Sequence, residues 1–169
     1  MRTIVGVSDV RVSANPREEL ITFALGSCLG VSVYDPVAKV GGLLHVMLPL
    51  STADPAKARE KPAMYVDTGF SELIQKCYDQ GAMKKNMQII VAGGASMKTS
   101  GSDDYFKIGK RNFTILRKLL WKNGFMLAAQ DVGGHKSRTM SLTLSDGTVS
   151  VNKKPVFING QVRVGHGTF

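Results

Sequence analysis

Two residues in this chain have side chains suited to nucleophilic chemistry and settings in which they could meet. Cys28 closes the run Gly26-Ser27-Cys28, and His45 lies seventeen positions on, inside a second apolar segment. A free thiol titrates near pKa 8.5 and is mostly protonated at neutral pH. A histidine that takes its proton leaves a thiolate able to attack a carbonyl carbon, and the resulting imidazolium can then protonate the leaving group. An amide attacked in this way would lose ammonia, and water would then hydrolyse the thioester.

Spacing supports the pairing. Residues 22–48 read as two strands joined at Asp35-Pro36, a turn signal. With a loop over 35–38, Tyr34 pairs with Lys39 and Cys28 falls directly opposite His45, a separation of about 4.5–5.5 Å between Cβ atoms. In that register Leu29 faces Leu44 and Val33 faces Val40, making one apolar side. On the other, Gly30 faces Leu43 and Ser32 faces Gly41, small residues expected to leave open space beside the pair.

A working site also needs oxyanion donors and a group to orient the imidazole. Backbone N–H groups at Gly26, Ser27 and Cys28 are candidates for the first. Thr22 has the right strand parity for the second, but a straight strand holds it too far away, so a bend at Gly26 is required. The plainer readings remain open from local pattern alone: Cys28 as a small buried hydrophobe, His45 as a structural histidine. Zinc held by Cys28, His45, Cys77 and His135 is a further alternative, although the short-spaced ligand pairs of structural zinc are missing.

The elements that must carry these residues follow from periodicity. From Val66 the residues Phe70, Leu73, Ile74 and Cys77 form one helical stripe, which places Cys77 in the core, with Gly81 as the stop. A second helix from about Ile108 turns Ile115, Leu116, Leu119 and Leu120 inward and ends at Gly124. Its outer face carries Lys107, Lys110, Arg111, Arg117, Lys118 and Lys122, a surface suited to an acidic partner. Strands are expected over 3–7, 22–34, 40–48, 87–92, 126–130, 139–144, 148–152 and 156–164, and a surface loop over 51–62. Many strands with two main helices imply an α+β sandwich.

Bulk properties narrow the class. A chain of 169 residues with 43% hydrophobic and 21% charged residues has the composition of one globular domain. Two cysteines are too few for a disulfide framework, and no apolar run is long enough to span a bilayer, so a cytoplasmic protein without membrane insertion is expected. Lys and Arg exceed Asp and Glu by 22 to 13, a net charge of +9 that favours acidic partners. Nucleic acid is disfavoured as that partner: no binding motif is present, and aromatics make up only 7% of the chain.

The residues as a set resemble the CheD family of chemoreceptor glutamine deamidases. The resemblance lies in residues 22–28 and 40–49, in Tyr65 and Asp67, in 92–97, in 108–112, and in 131–134 with Arg138. It implies a layered α/β/β sandwich with mixed and antiparallel sheets and two main helices on one side, similar to the catalytic fold of the cytotoxic necrotizing factors. It further implies a catalytic triad of Cys28, His45 and Thr22 that hydrolyses receptor glutamines to glutamates, without a cofactor and, in some members, removes glutamyl methyl esters. The implied partners are the cytoplasmic helices of methyl-accepting chemotaxis receptors and a CheC-type response-regulator phosphatase. An interaction module of the chemotaxis array that only binds these proteins is the alternative reading. Two features depart from the pattern: His135, where relatives often carry Asn, and a C-terminal extension over 155–169. His135 reads as a surface residue, a substrate contact or an alternative base. The glycine pairs Gly93-Gly94 and Gly133-Gly134 read as turns lining the cleft.

The thiol–imidazole pair predicts unequal cysteines. Iodoacetamide should alkylate Cys28 faster than Cys77, and the Cys28 rate should fall in His45→Ala. Equal rates for the two thiols in native protein, resolved by peptide mapping, would contradict the pairing.

Overall fold

A computed structural model describes residues 1–96 and 103–158, the side chains of 103–106 excepted. The strands are β1 (Arg2–Ile4), β2 (Asp9–Ser13), β3 (Glu19–Leu25), β4 (Leu29–Asp35), β5 (Val40–Val46), β6 (Gln88–Gly93), β7 (Leu127–Val132), β8 (Arg138–Thr143), β9 (Val149–Val151) and β10 (Lys154–Pro155). The helices are α1 (Pro55–Glu60), α2 (Val66–Asp79) and α3 (Asp103–Lys122). One five-stranded sheet has the order β1-β3-β8-β9-β10 and the other β2-β5-β4-β6-β7.

Three layers result: α2 and α3, then the second sheet, then the first. The central sheet is covered on both faces, and every residue of β4 and β5 is buried. One apolar core joins Val31, Val33 and Leu44 to Phe70 and Leu73 of α2 and Leu116 and Leu120 of α3. The other lies between the sheets and joins Leu43, Ile90 and Ala92 to Leu20, Leu25, Met140 and Leu142. This is the α+β sandwich expected from the sequence, with the two main helices on one side.

The helical stripes behave as their periods require. Cys77 is fully buried on α2, and the chain leaves that helix through Gly81 at φ 99°, a left-handed conformation natural to glycine. Helix α3 begins at Asp103, five residues before the expected start, and ends before Gly124 at φ 73°. The parallel pair β6 and β7 has α3 as its crossover, as parallel neighbours need a long connection.

Several expectations are corrected. The expected loop over 51–62 contains a 3-10 turn (Ser51–Ala53) and α1, whose N-terminus is capped by the Asp54 carboxylate accepting from Lys57 N–H at 3.1 Å. Strand β2 was not foreseen, although Val10 and Val12 alternate with polar residues; it edges the central sheet beside β5. Of the strand expected over 156–164, the described part is not strand, and the extended pairing there is β10; 159–164 lie outside the described residues.

The hairpin register also shifts. Asp35 pairs with Val40, Tyr34 with Gly41 and Gly30 with His45, so the loop spans 36–39 and Cys28 precedes the paired residues. Asp35 sets this register. It is fully buried, its Oδ1 accepts from the N–H groups of Val37 and Ala38 at 2.8 and 3.0 Å, and its Oδ2 accepts from Met83 N–H at 2.8 Å. Lys39 then closes the turn at φ 59°, its N–H donating to Asp35 O at 2.9 Å. The parity of the expected register survives because the shift is two residues in the pairing sum.

The expected open space does not. A Cβ on Gly30 would lie 2.8 Å from Met140 Sδ and 2.9 Å from Leu25 Cδ1, and one on Gly41 would lie 2.8 Å from Leu144 Cδ1. These glycines let the outer sheet approach, so that face of the hairpin is core.

Burial pushes the Asp35 carboxyl up, but its backbone hydrogen bonds outweigh this and hold it below the usual Asp range. Asp35→Ala leaves three N–H groups without their acceptor and should cost about 2–4 kcal/mol in urea unfolding. A loss below about 0.5 kcal/mol would show that the register is set elsewhere.

Candidate active site

The connection between β3 and β4 builds the site by changing sheets. Strand β3 pairs regularly with β8 through Thr22, loses register between Thr22 and Leu25, and holds Ala24 at φ 57°. Residues 26–28 then carry the chain from the outer sheet to the central one. The bend required at Gly26 is this crossing. Thr22 and Cys28 therefore sit in different layers, and Thr22 meets His45 of β5 across the space between the sheets.

Both residues are fully buried. Thr22 Oγ1 lies 2.7 Å from Val5 O and 2.7 Å from His45 Nδ1. A carbonyl oxygen can only accept, so the single hydroxyl proton goes to Val5, and Thr22 Oγ1 accepts from His45 Nδ1–H. This arrangement assigns the tautomer: the proton is on Nδ1 and the Nε2 lone pair is free. His45 Nε2 is buried and has no hydrogen-bond partner. A buried, bare imidazole nitrogen on a ring fixed at its other end is able to accept a proton from a donor brought within reach. Burial pushes the His45 pKa down to about 4, so the ring is neutral at physiological pH.

Cys28 is partly exposed and packs against the inter-sheet core, the layer that also receives His45. Gly30, not Cys28, is directly opposite His45, which makes the Cys28–His45 relation diagonal, about 7–8 Å between backbones. Burial pushes the Cys28 thiol up, opposed by its own backbone N–H, which faces the sulfur. The resting pair is thus neutral thiol and neutral imidazole. Cys77, packed on the helix side of the central sheet, is pushed up to about 12 by burial and by the Asp35 carboxylate.

The loop that carries Cys28 is held by β6, by the chain after it and by α3. Gly94 N–H donates to Cys28 O and Ala95 N–H to Gly26 O, both at 2.8 Å. Gly93, at φ 111°, passes so close that a Cβ there would lie 2.2 Å from Cys28 O. Asn112, fully buried on α3, donates through Nδ2 to Ser27 O and to Met47 O, each at 3.0 Å. It ties the Cys28 loop to the chain two residues beyond His45. Local pattern reasoning missed Asn112 as a site residue; a polar side chain on the inward face of an otherwise apolar helix was the available signal. Gly26 N–H is engaged with Ala24 O at 3.0 Å, so Gly26 contributes its turn, while the Cys28 N–H faces its own sulfur.

The glycine pairs border the Cys28 loop, and His135 lies at the surface beside them. His135 is exposed, with Nδ1 3.1 Å from Ser96 O. Gly94, Gly133 and Gly134 line a shallow cavity of about 280 Å³ with Ser96, Lys110 and Phe113, and Gly133 N–H donates to Gly93 O at 3.0 Å. The four residues of the zinc alternative are dispersed over the inter-sheet layer, the helix-side core and the surface. Among the described residues, no group of three or more His, Cys, Asp or Glu side chains is placed to hold a metal, and no helix is long and apolar enough to cross a membrane.

The fold defines the class, a layered α+β sandwich in which a threonine meets a histidine between the sheets and a cysteine packs against the same layer. Within that class the chain belongs to the CheD family: the model of CheD chemotactic sensory transduction proteins matches residues 47–153. It is 50% identical over 144 residues to a probable chemoreceptor glutamine deamidase CheD of Solibacter usitatus, covering 85% of this chain and 84% of that one. It is 47% identical over 148 residues to the probable chemoreceptor glutamine deamidase CheD 1 of Syntrophus aciditrophicus, covering 88% and 91%. It is 42% identical over 159 residues to a probable chemoreceptor glutamine deamidase CheD of Pyrococcus abyssi, covering 94% and 93%. Among solved structures, a Neisseria meningitidis protein of the DUF152 family aligns with 79% of this chain and 63% of its own at a TM-score of 0.41 and 9% identity.

The buried neutral imidazole has a consequence for stability. An unfolded histidine titrates near 6.5, and His45 is lowered to about 4, so between these values the unfolded chain binds a proton that the native state refuses. The contribution is complete above pH 6.5 and is lost as pH falls toward 4, about 3 kcal/mol in all. Urea unfolding at stepped pH should show wild type losing this much more than His45→Gln. Parallel curves would mean that His45 titrates normally.

Proposed function

We propose that the protein hydrolyses glutamine side chains of chemotaxis receptors to glutamate, with Cys28 as nucleophile, His45 as base and Thr22 as the residue that orients the base. The observation that carries this reading is the buried His45 Nε2, left bare by the Thr22 contact at 2.7 Å, in the same layer as the Cys28 side chain. The substrate comes from the relatives, which are named chemoreceptor glutamine deamidases.

In this reaction the Cys28 proton passes to Nε2 as sulfur attacks the glutamine Cδ. Charge then develops on the amide oxygen, where the Cys28 N–H and the adjoining Ser27 N–H are the donors at hand. The imidazolium returns its proton to the departing nitrogen, ammonia leaves, and a thioester remains. Nε2 next takes a proton from water, hydroxide adds to the thioester, and the thiol is re-formed as glutamate is released. Thr22 stabilises the imidazolium only modestly, because a hydroxyl has no charge; its main effect is to hold the tautomer and ring plane. No cofactor enters any step. A glutamyl methyl ester presents the same carbonyl with methanol as leaving group, so the same residues support methylesterase activity.

The substrate glutamines would lie on the cytoplasmic helices of methyl-accepting receptors, which places the protein in the cytoplasm. A CheC-type phosphatase is proposed as a regulatory partner on the family resemblance.

The test is mass spectrometry of purified receptor cytoplasmic fragment incubated with each protein. Wild type should convert amide to acid at selected glutamines, and Cys28→Ala should be slower by about 10³-fold or more. Thr22→Val should lower kcat with KM little changed. Equal conversion by wild type and Cys28→Ala would remove the cysteine mechanism. Receptor binding without conversion by wild type would favour an interaction module.

A further inference from the structure

The largest groove near α3 lies away from the triad, at the C-terminal half of that helix, and is not used by the mechanism above. It measures about 510 Å³ and is lined by Thr114, Arg117, Lys118, Leu120, Trp121, Phe125 and Leu127. Trp121 is 87% exposed at its rim and Met126, just past the helix, is 84% exposed. A large aromatic that far out of the core is unusual, since tryptophan buries most of its surface even where it is not fully enclosed.

The charge around it is one-sided. From Tyr105 to Gln130 the chain has no Asp or Glu, while Lys107, Lys110, Arg111, Arg117, Lys118 and Lys122 fall in that stretch. All six are exposed, and none of the ion pairs among the described residues involves α3. Lys84 adds a further cation over the Phe125 ring at 4.8 Å. An apolar floor under an uncompensated cationic rim selects an occupant that brings both carboxylates and an apolar side chain. A second copy of this chain would bring the same cations and be repelled.

Position connects the groove to the site. Asn112 holds the Cys28 loop from the buried face of α3, whereas Trp121, nine residues and about two and a half turns on, lies about 13 Å further along the axis on the outward face. A long receptor segment, unlike a short peptide, could reach both places.

We propose that the Trp121 groove is an exosite for the protein substrate: it takes an acidic, apolar-anchored stretch of the receptor while the glutamine to be hydrolysed sits at Cys28. The proposal rests on the receptor-deamidase reading. It places substrate affinity and selection on α3 and leaves the chemical step to the triad.

Trp121 is the chain's single tryptophan, so its fluorescence reports this groove alone. The probe is purified receptor cytoplasmic fragment, titrated into full-length Cys28→Ala protein, in which binding is read without turnover. Emission should change saturably, and the midpoint should rise with added salt. In catalysis, Arg117→Glu/Lys118→Glu and Trp121→Ala should each raise KM for the receptor fragment about tenfold, with kcat within twofold and the Cys28 alkylation rate unchanged. Unaltered KM in both variants, or silent Trp121 emission at saturating receptor, would overturn the exosite. So would Trp121 emission that responds to homopolymeric RNA or anionic phosphatidylglycerol vesicles and that receptor fragment fails to displace. Loss of the deamidase reading would look different: receptor would still bind at Trp121 and raise no acid product with wild type.

Discussion

The contact on which this structure turns is the Thr22 hydroxyl shared between Val5 O and His45 Nδ1. It is a hydrogen-bond relay that crosses from one sheet to the other, and it requires both sheets to be present, close and in register. One hydroxyl satisfies two other buried polar groups, Val5 O and His45 Nδ1, and the far ring nitrogen, His45 Nε2, is left without a partner. An unpaired buried acceptor normally costs about 1–3 kcal/mol. Here that cost coincides with the atom that a thiol would need, which is the usual pattern where stability is given up at a reacting centre.

The rest of the architecture serves that proximity. Gly30 and Gly41 have no side chains because Met140, Leu25 and Leu144 of the outer layer need the space. The break in β3 after Thr22 and the crossing over 26–28 put consecutive segments into different layers, so that two residues six apart in sequence approach one histidine from different sheets. Asn112 and the Gly93–Ala95 backbone then fix the loop that carries Cys28 through hydrogen bonds to its carbonyl groups. In the proposed reaction, positioning of this kind would make a reactive pair of a neutral thiol and a neutral imidazole.

The surface divides the labour differently. Thr22 and His45 are fully buried and Cys28 is only partly exposed, a small area for recognising a protein, whereas α3 exposes six cations and Trp121 on one face. In the proposed reaction, recognition would fall to the broad charged face and chemistry to the narrow one, a separation suited to a long protein substrate with a single reacting amide.

How much of this was legible beforehand follows from the range of each interaction. Local periodicity was enough for α2, α3, the buried Cys77 and most strands, since a stripe of apolar residues states which face is inward. Hairpin parity was legible too, because alternation survives a shift of two. The absolute register was not, because it depends on the Asp35 carboxylate reaching Met83, a partner 48 residues away. Nor was the filling of the glycine face or the role of Asn112, since both depend on which layer packs against which. The residue types alone determined that Cys28 and His45 were the chemical candidates and that Thr22 needed a bend to join them. Only the tertiary structure decided that the bend is a change of sheet, for a hydroxyl proton can be assigned only when the carbonyl and the imidazole on either side of it are both in place.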